Sequence, residues 1–348
     1  MRFAFDEQQL EFRSQFRAYV EKECGPAEVR AAWDSPTGWS QSRWAALAEM
    51  GVVGLTVPES LGGLGLGMVD LVVLLEEAGR ACLPEPLLET VALGVPVLAS
   101  ASGERAPGIR LDWLPRVAAG EAALAVGLSS MPAVAGAQGA HLLLLEHRPP
   151  SSVEIHAVPG DEVRQRPRPV LDRSRRLSEV AWEPSAATLV ASGDEAELAL
   201  RALADRAAMG SGALLLGVAD RMITMAAQHA MDRNQFGKPI GSFQAVKHHL
   251  ASALVRLEFA RPLVYRAAWS LDVGDPDASV HASMAKAQAS DAAECAALTA
   301  LQVHGAIGYT WEHDLHLWMK RGWALSASWG DAASHRAKVL EARVASID

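Results

Sequence analysis

One segment in the C-terminal half carries residue types suited to gripping a nucleotide diphosphate. Arg233-Asn-Gln235-Phe236-Gly237-Lys-Pro239-Ile240 brings a forked cation, an amide and a flat apolar ring close together. A guanidinium matches the paired oxygens of a pyrophosphate, and the amide adds a directional hydrogen bond. Gly237 and Pro239 impose a turn there, between one long helical pattern and the next. Two readings stand on these residues alone: a pyrophosphate grip, or a helix terminus that carries an arginine. Other candidates are weaker. His313 and His316 flank Asp314, but two histidines without further ligands make no metal site, so none is expected. The glycine-rich stretch Ser60-Leu-Gly62-Gly63-Leu-Gly65-Leu-Gly67 fails the dinucleotide fingerprint, because Met68 and Asp70 stand where its third glycine is required.

The elements that must position these residues are mainly helical. Residues 1–120 predict an N-terminal helical domain. Asp6 is placed to cap a first helix carrying Leu10, Phe12, Phe16, Tyr19 and Val20. Trp44, Leu47 and Met50 mark a second helix closed by Gly51, and Asp70 to Ala81 a third. Pro84 and Pro86 break the chain, and Leu87 to Val95 predicts a short helix ending near Pro96. Residues 121–192 change to short apolar runs between Gly, Pro, Ser and Asp clusters, which predicts a reduced β-domain. Its arginines (164, 166, 168, 173, 175 and 176) read as a solvated face. Residues 193–348 predict a helical bundle, with long alanine-rich segments at Ala196–Met231, Ser242–Asp272 and Asp277–His304 and a last helix within Trp329–Ile347. Met222, Met225 and Met231 are expected in its core, and the tryptophans from Trp311 to Trp329 in core and interface packing.

Composition narrows the function classes. The chain has 348 residues, half of them hydrophobic and 21% charged, as in an ordinary folded protein. A net charge of -9 argues against nucleic acid as the main ligand but leaves local basic groups free to hold an anionic cofactor. Cys24, Cys82 and Cys295 form no C-x-x-C pair and read as free thiols. Neither a signal-peptide layout nor an apolar run of about 20 residues is evident, so no membrane association and a cytoplasmic location are expected.

With the second segment Gln302-Val-His-Gly305-Ala306-Ile-Gly308-Tyr-Thr-Trp-Glu312 included, the chain resembles the acyl-CoA dehydrogenase family. Pro58-Glu59-Ser60-Leu61-Gly62-Gly63-Leu64-Gly65 is similar to a loop of that family's N-terminal domain. The order of helices, small β-domain and C-terminal four-helix bundle is also that family's. The resemblance implies FAD as cofactor and α,β-desaturation of an acyl-CoA thioester, with electrons passed to an electron-transfer protein. It implies that Arg233, Gln235 and Phe236 meet the pyrophosphate and adenosine of a flavin held by a neighbouring subunit. Gln302, Gly305 and Ala306, the last in place of a usual glycine, would complete that half-site, and the bundle would carry oligomerisation.

The same resemblance marks two positions for the family's catalytic glutamate, and here they read Ala207 and Trp329. Neither side chain accepts a proton. Asp331 and Asp205 lie two residues from these positions, an offset that on a helix turns a side chain to another face. Glu312 is expected in an ion pair or cap. The flavin-facing Thr-Glu-Pro segment has Ser130-Met131-Pro132 as its nearest match, without the glutamate. The expected protein is therefore a non-catalytic subunit, paired with a second acyl-CoA dehydrogenase-like chain that carries the glutamate. Its Trp311-Glu312-His313 turn resembles chains acting on steroid side-chain CoA thioesters. The alternatives are a self-sufficient dehydrogenase with an atypical base and a flavin-free structural subunit.

Overall fold

The computed structural model describes residues 4–344, mainly helical with a small β-region. The helices are α1 (Glu7–Glu23), α2 (Pro26–Asp34), α3 (Gln41–Glu49), α4 (Met68–Arg80), α5 (Val95–Ser100) and α6 (Ala106–Ala118). After the strands come α7 (Gly193–Asp232), α8 (Gln244–Val273), α9 (Ala278–His304), α10 (Leu315–Ala327) and α11 (Ala332–Val344). The chain forms two compact units. One comprises Ala27–Leu71 and Pro84–Ala207; the other comprises the chain up to Pro26, Val72–Leu83 and everything from Ala208 onward.

In the first unit, strands β1 (Leu124–Gly127), β2 (Val134–Ala135), β3 (Leu142–His147), β4 (Glu154–Pro159), β5 (Arg164–Pro167), β6 (Leu177–Ala181) and β7 (Leu189–Ser192) make two small sheets. Their orders are β1-β3-β4-β7 and β2-β6-β5, with only the β1–β3 pairing parallel. Ala125, Val134, Leu143, Leu145, Val158 and Val163 close a core between them. The Pro58–Gly65 loop folds on itself: a Cβ on Gly63 would stand 2.1 Å from the Val57 carbonyl oxygen, so only glycine fits.

Three expectations in this unit are corrected. Pro96 does not end its helix. A π-helical turn at Leu88–Gly94 runs into α5, and Pro96 sits in the first turn of α5, where its missing N–H costs nothing. Helix α6, unassigned from sequence, forms with one proline in its first turn and Pro115 inside it. The arginine stretch is not uniformly solvated. Arg175 pairs with Glu89 at 3.3 Å, and Arg176 donates to the Trp33 carbonyl at 2.7 Å.

The second unit is built on the close approach of small residues. Along α9, Ala282, Ala285, Ala289, Ala292, Ala296 and Ala300 are buried at steps of three or four, one stripe of a helix. A Cβ on Gly217 of α7 would stand 1.8 Å from the Glu76 carbonyl oxygen, which marks a tight crossing with α4. Buried Glu77 takes Arg13 and Arg17 of α1, each at 2.7 Å, while Glu76 takes Arg261 and the Tyr265 hydroxyl (2.6 Å) of α8. At the start of α1, Asp6 and Gln9 exchange side-chain-to-backbone hydrogen bonds at 2.8 and 3.0 Å, the capping box that Asp6 foreshadows.

Three further differences appear here. Helix α10 forms where the sequence assigns none. Met222 is core, but Met231 is exposed near the end of α7. Helix α7 contains a window long and apolar enough to cross a membrane, contrary to expectation, and 78% of that window is buried inside the protein.

Candidate functional site

Helix α7 delivers Arg233 one residue past its end. Asn234–Gln235 (β8) then pairs with Lys238–Pro239 (β9) in a two-residue hairpin, closed by the Ile240 N–H donating to the Arg233 carbonyl at 2.8 Å. Phe236 and Gly237 fill the turn with φ of +52° and +77°. A tight hairpin of this kind needs positive φ at both central residues. For phenylalanine that conformation carries roughly 1–2 kcal/mol of strain. The strained ring is not packed away: Phe236 is 92% exposed, meeting only the edge of Phe243 among the described aromatic rings, with centroids 6.1 Å apart. Arg233 and Gln235 are exposed beside it.

The second segment follows α9. Gly305 turns the chain with φ +64° and ψ -142°, a conformation essentially confined to glycine, and a short 3-10 turn runs through Gly305–Tyr309. Gln302, Gly305 and Ala306 are exposed. What joins the two segments is a pair of histidines absent from the sequence expectations. His229, one turn before Arg233, stacks on His304, with ring centroids 4.5 Å apart and planes 26° from parallel. His304 in turn meets the edge of His313 at 4.6 Å. The donor set on this face consists of a guanidinium, two amides and glycine backbone, and it fits the ADP half of a dinucleotide. The only hint of the stack in sequence is a histidine within a turn of each segment.

Trp329, where the resemblance leads one to expect the family's base, lies in the turn between α10 and α11. Trp329 has φ +59° and Gly330 φ +92°, so the turn is left-handed at two successive residues. Lys286, fully buried on α9, donates to the carbonyls of Ser326 (2.9 Å) and Gly330 (2.8 Å). Buried His335 donates from Nε2 to the Trp329 carbonyl at 2.9 Å. Burial lowers the His335 pKa and keeps the ring neutral. Asp331 opens α11: the Ser334 N–H donates to its Oδ1 at 2.8 Å, and this bond holds its carboxyl below the usual range. An exposed, ionised cap of that kind is a weak base. The buried carboxylates of this unit among the described residues, Glu76 and Glu77, are ion-paired. The other base position, Ala207, is fully buried within α7, and Asp205 is partly exposed two residues earlier.

In the β-region, a cavity of about 360 Å³ is lined by Ser129, Met131, Pro132, Glu146, Glu179 and Trp182, among others. Met131 and Pro132, of the segment nearest the flavin-facing motif, border it, and the donors of the preceding Ser129 are already engaged. Ser129 donates from its backbone N–H (2.7 Å) and its hydroxyl (2.8 Å) to the buried Glu146 carboxylate, which also takes Arg148 at 2.5 Å. An isoalloxazine, rich in acceptors, would meet a carboxylate there rather than free donors. His313 and His316 belong to no group of His, Cys, Asp or Glu among the described residues that could hold a metal. Their roles are local: His313 accepts from the Leu315 N–H (3.2 Å), and His316 donates to the Trp311 carbonyl (3.1 Å).

The N-terminal helices, the β-region and the C-terminal helices together define an acyl-CoA dehydrogenase fold. The N-terminal domain of the acyl-CoA dehydrogenases matches residues 6–121 and their C-terminal domain residues 197–342, and the chain belongs to this family of FAD-dependent oxidoreductases. It is 33% identical to acyl-CoA dehydrogenase IpdE2 of Mycolicibacterium smegmatis, over 89% of this chain and 90% of that one. Its fold superposes on a chain of the Mycobacterium tuberculosis ChsE4-ChsE5 complex with a TM-score of 0.85, at 24% identity and over 98% of both chains. It superposes on a variant of the Tcur3481-Tcur3483 steroid ACAD with a TM-score of 0.86, at 24% identity, over 98% of this chain and 99% of that one.

Proposed function

We propose that this chain is the non-catalytic member of a two-chain, FAD-dependent acyl-CoA dehydrogenase. It contributes the ADP half-site for a flavin seated on a partner chain, and the partner brings the glutamate that removes the α-proton. The observation that carries this reading is the contrast between its two ends. Arg233, Gln235 and Phe236 of the hairpin and Gln302 and Ala306 of the following segment present their side chains to solvent, while a tryptophan stands where the resemblance puts the family's base, in a turn held by buried Lys286.

Bound FAD supplies the two-electron acceptor for desaturation. In this chain Arg233 would fork onto the pyrophosphate, Gln235 and Gln302 would donate amide hydrogens, and the Phe236 ring would lie against the adenosine. The Ser129–Glu146 contact argues against a second flavin seated in this chain's own β-region. The position of Asp331 as an ionised helix cap disfavours the self-sufficient alternative. A flavin-free structural role leaves the strained, exposed Phe236 turn without a purpose. The steroid ACAD among the fold relatives favours a steroid side-chain acyl-CoA as substrate, with an electron-transfer protein as acceptor and the cytoplasm as the site of action.

The test is to purify the chain alone and then together with acyl-CoA dehydrogenase-like chains encoded beside it, recording visible spectrum and mass. A colourless lone chain that becomes a yellow hetero-oligomer with one flavin per unlike pair is the expected result. A yellow homo-oligomer with flavin on every chain overturns the reading.

A further inference from the structure

Three imidazoles meet where the two nucleotide segments join, and none has a role in the chemistry above. His229 comes from α7, His304 from the end of α9 and His313 from the loop before α10. The His304 ring is sandwiched, stacked on His229 at 4.5 Å and edge-on to His313 at 4.6 Å.

The hydrogen bonds fix the proton positions. His304 Nδ1 lies 2.7 Å from the Ala300 carbonyl, so it must be the protonated nitrogen. His313 Nδ1 accepts from the Leu315 N–H at 3.2 Å, so the proton of its neutral form sits on Nε2. His313 Nδ1 thereby caps the Leu315 N–H at the first turn of α10. That N–H is among the helix-start donors that no intrahelical carbonyl satisfies. A proton on His229 sets a cation face to face with His304.

We propose that the His229–His304–His313 stack is an acid-sensitive latch, in which protonation of His229 against the His304 ring frees the Gly305–Tyr309 turn and loosens the grip on the ADP half of the flavin. The ligand named rests on the proposed function above; the latch itself does not.

The charged groups facing the trio set the direction. For His229, burial is the main cause of a lowered pKa, with His313 and Arg233 opposing a proton and Asp232 favouring one. For His304, burial dominates and holds the pKa at about 4, against the raising effect of the Ala300 bond, while His229 and His313 lower it further. Both rings take up protons less readily folded than unfolded. The stack therefore stabilises the turn above the unfolded histidine value of about 6.5. That contribution is lost as pH falls from there toward 4.

Hydrogen exchange on the purified chain, corrected for the intrinsic pH dependence of exchange, tests this without any cofactor. Between pH 7.5 and 5.0, peptides covering 229–240 and 300–315 are expected to lose protection roughly tenfold or more, while the middle of α8 stays protected. A double variant, His229→Phe with His313→Asn, keeps a ring in the stack and an acceptor for the Leu315 N–H but takes both imidazoles away from His304, and should stay closed at pH 5.0. Unchanged protection in the wild-type chain, or equal opening in the variant, overturns the latch. Flavin content of the assembled complex over the same range separates the two claims. Opening without flavin release leaves the latch standing and counts against the half-site reading.

Discussion

Lys286 Nζ lies 2.8 Å from the Gly330 carbonyl oxygen and 2.9 Å from that of Ser326, so one buried ammonium ties the end of α10 to the turn before α11. A charge at the closed centre of a bundle is tolerated only where such acceptors converge on it. Replacing it with the similarly shaped Met, as Lys286→Met, leaves two carbonyls without their donor. A loss of about 2–4 kcal/mol is expected. Urea unfolding of the lone chain measures it; an unchanged midpoint would mean that the turn holds itself.

Arg233→Ala tests the pyrophosphate grip. Because the side chain is exposed, the melting temperature of the lone chain should barely move. Flavin retention by the complex should fall by about 1.5–3 kcal/mol, roughly 10–100-fold. Dialysis followed by absorbance reads both arms, and full flavin content in the variant removes Arg233 from the site.

At Phe236, stability and cofactor binding should move in opposite directions. Asparagine tolerates the left-handed conformation far better than phenylalanine, so Phe236→Asn should stabilise the chain by up to about 1 kcal/mol. The same change removes the flat face offered to the adenosine and should weaken flavin retention. Parallel thermal melts and flavin titrations decide it. A fall in both would show that the exposed ring supports the fold instead.

Restoring a carboxylate should not restore activity. Trp329→Glu in the lone chain is expected to stay colourless and inactive with acyl-CoA and an electron acceptor, since the donors of Ser129, beside the segment that resembles the flavin-facing one, remain held by Glu146. Turnover by the single variant would revive the self-sufficient reading.

Asp331→Ala separates capping from catalysis. The Ser334 bond lowers the folded pKa of Asp331, so its stabilising contribution is present at neutral pH. That contribution fades as pH drops below the ordinary carboxylate value and through the lowered one. The variant should melt earlier than wild type at pH 7, converge with it in acid, and leave turnover of the complex unchanged. Lost turnover with an unchanged melt would make Asp331 the base.

The family was legible because the residue types of the Arg233 and Gln302 segments are distinctive, and Asp6 because a capping box is local. What escaped depends on distant contacts. Nothing near Phe236 says that it adopts the left-handed conformation, since Phe236-Gly237 is not a sequence favoured for that turn. Helix α6 was masked by its prolines, although packing of Leu114 and Val117 secures it. The histidine stack required knowing that the ends of α7 and α9 meet. Arg175 and Arg176 looked like their exposed neighbours until Glu89 and Trp33 were brought beside them. Lys286 did leave a trace, as a lone lysine inside an alanine stripe.

The left-handed pair at Trp329 and Gly330 also bears on descent. A β-carbon pays for that conformation whichever side chain follows it, so a glutamate introduced there inherits the backbone strain. If the partner supplies the rest of the site, a single substitution at this codon brings back a carboxylate alone, and other positions have to change with it before selection could reward any of them. On the proposed reading, dependence on a partner behaves as a one-way step: once the backbone had settled around an indole, the route back to autonomy closed behind it.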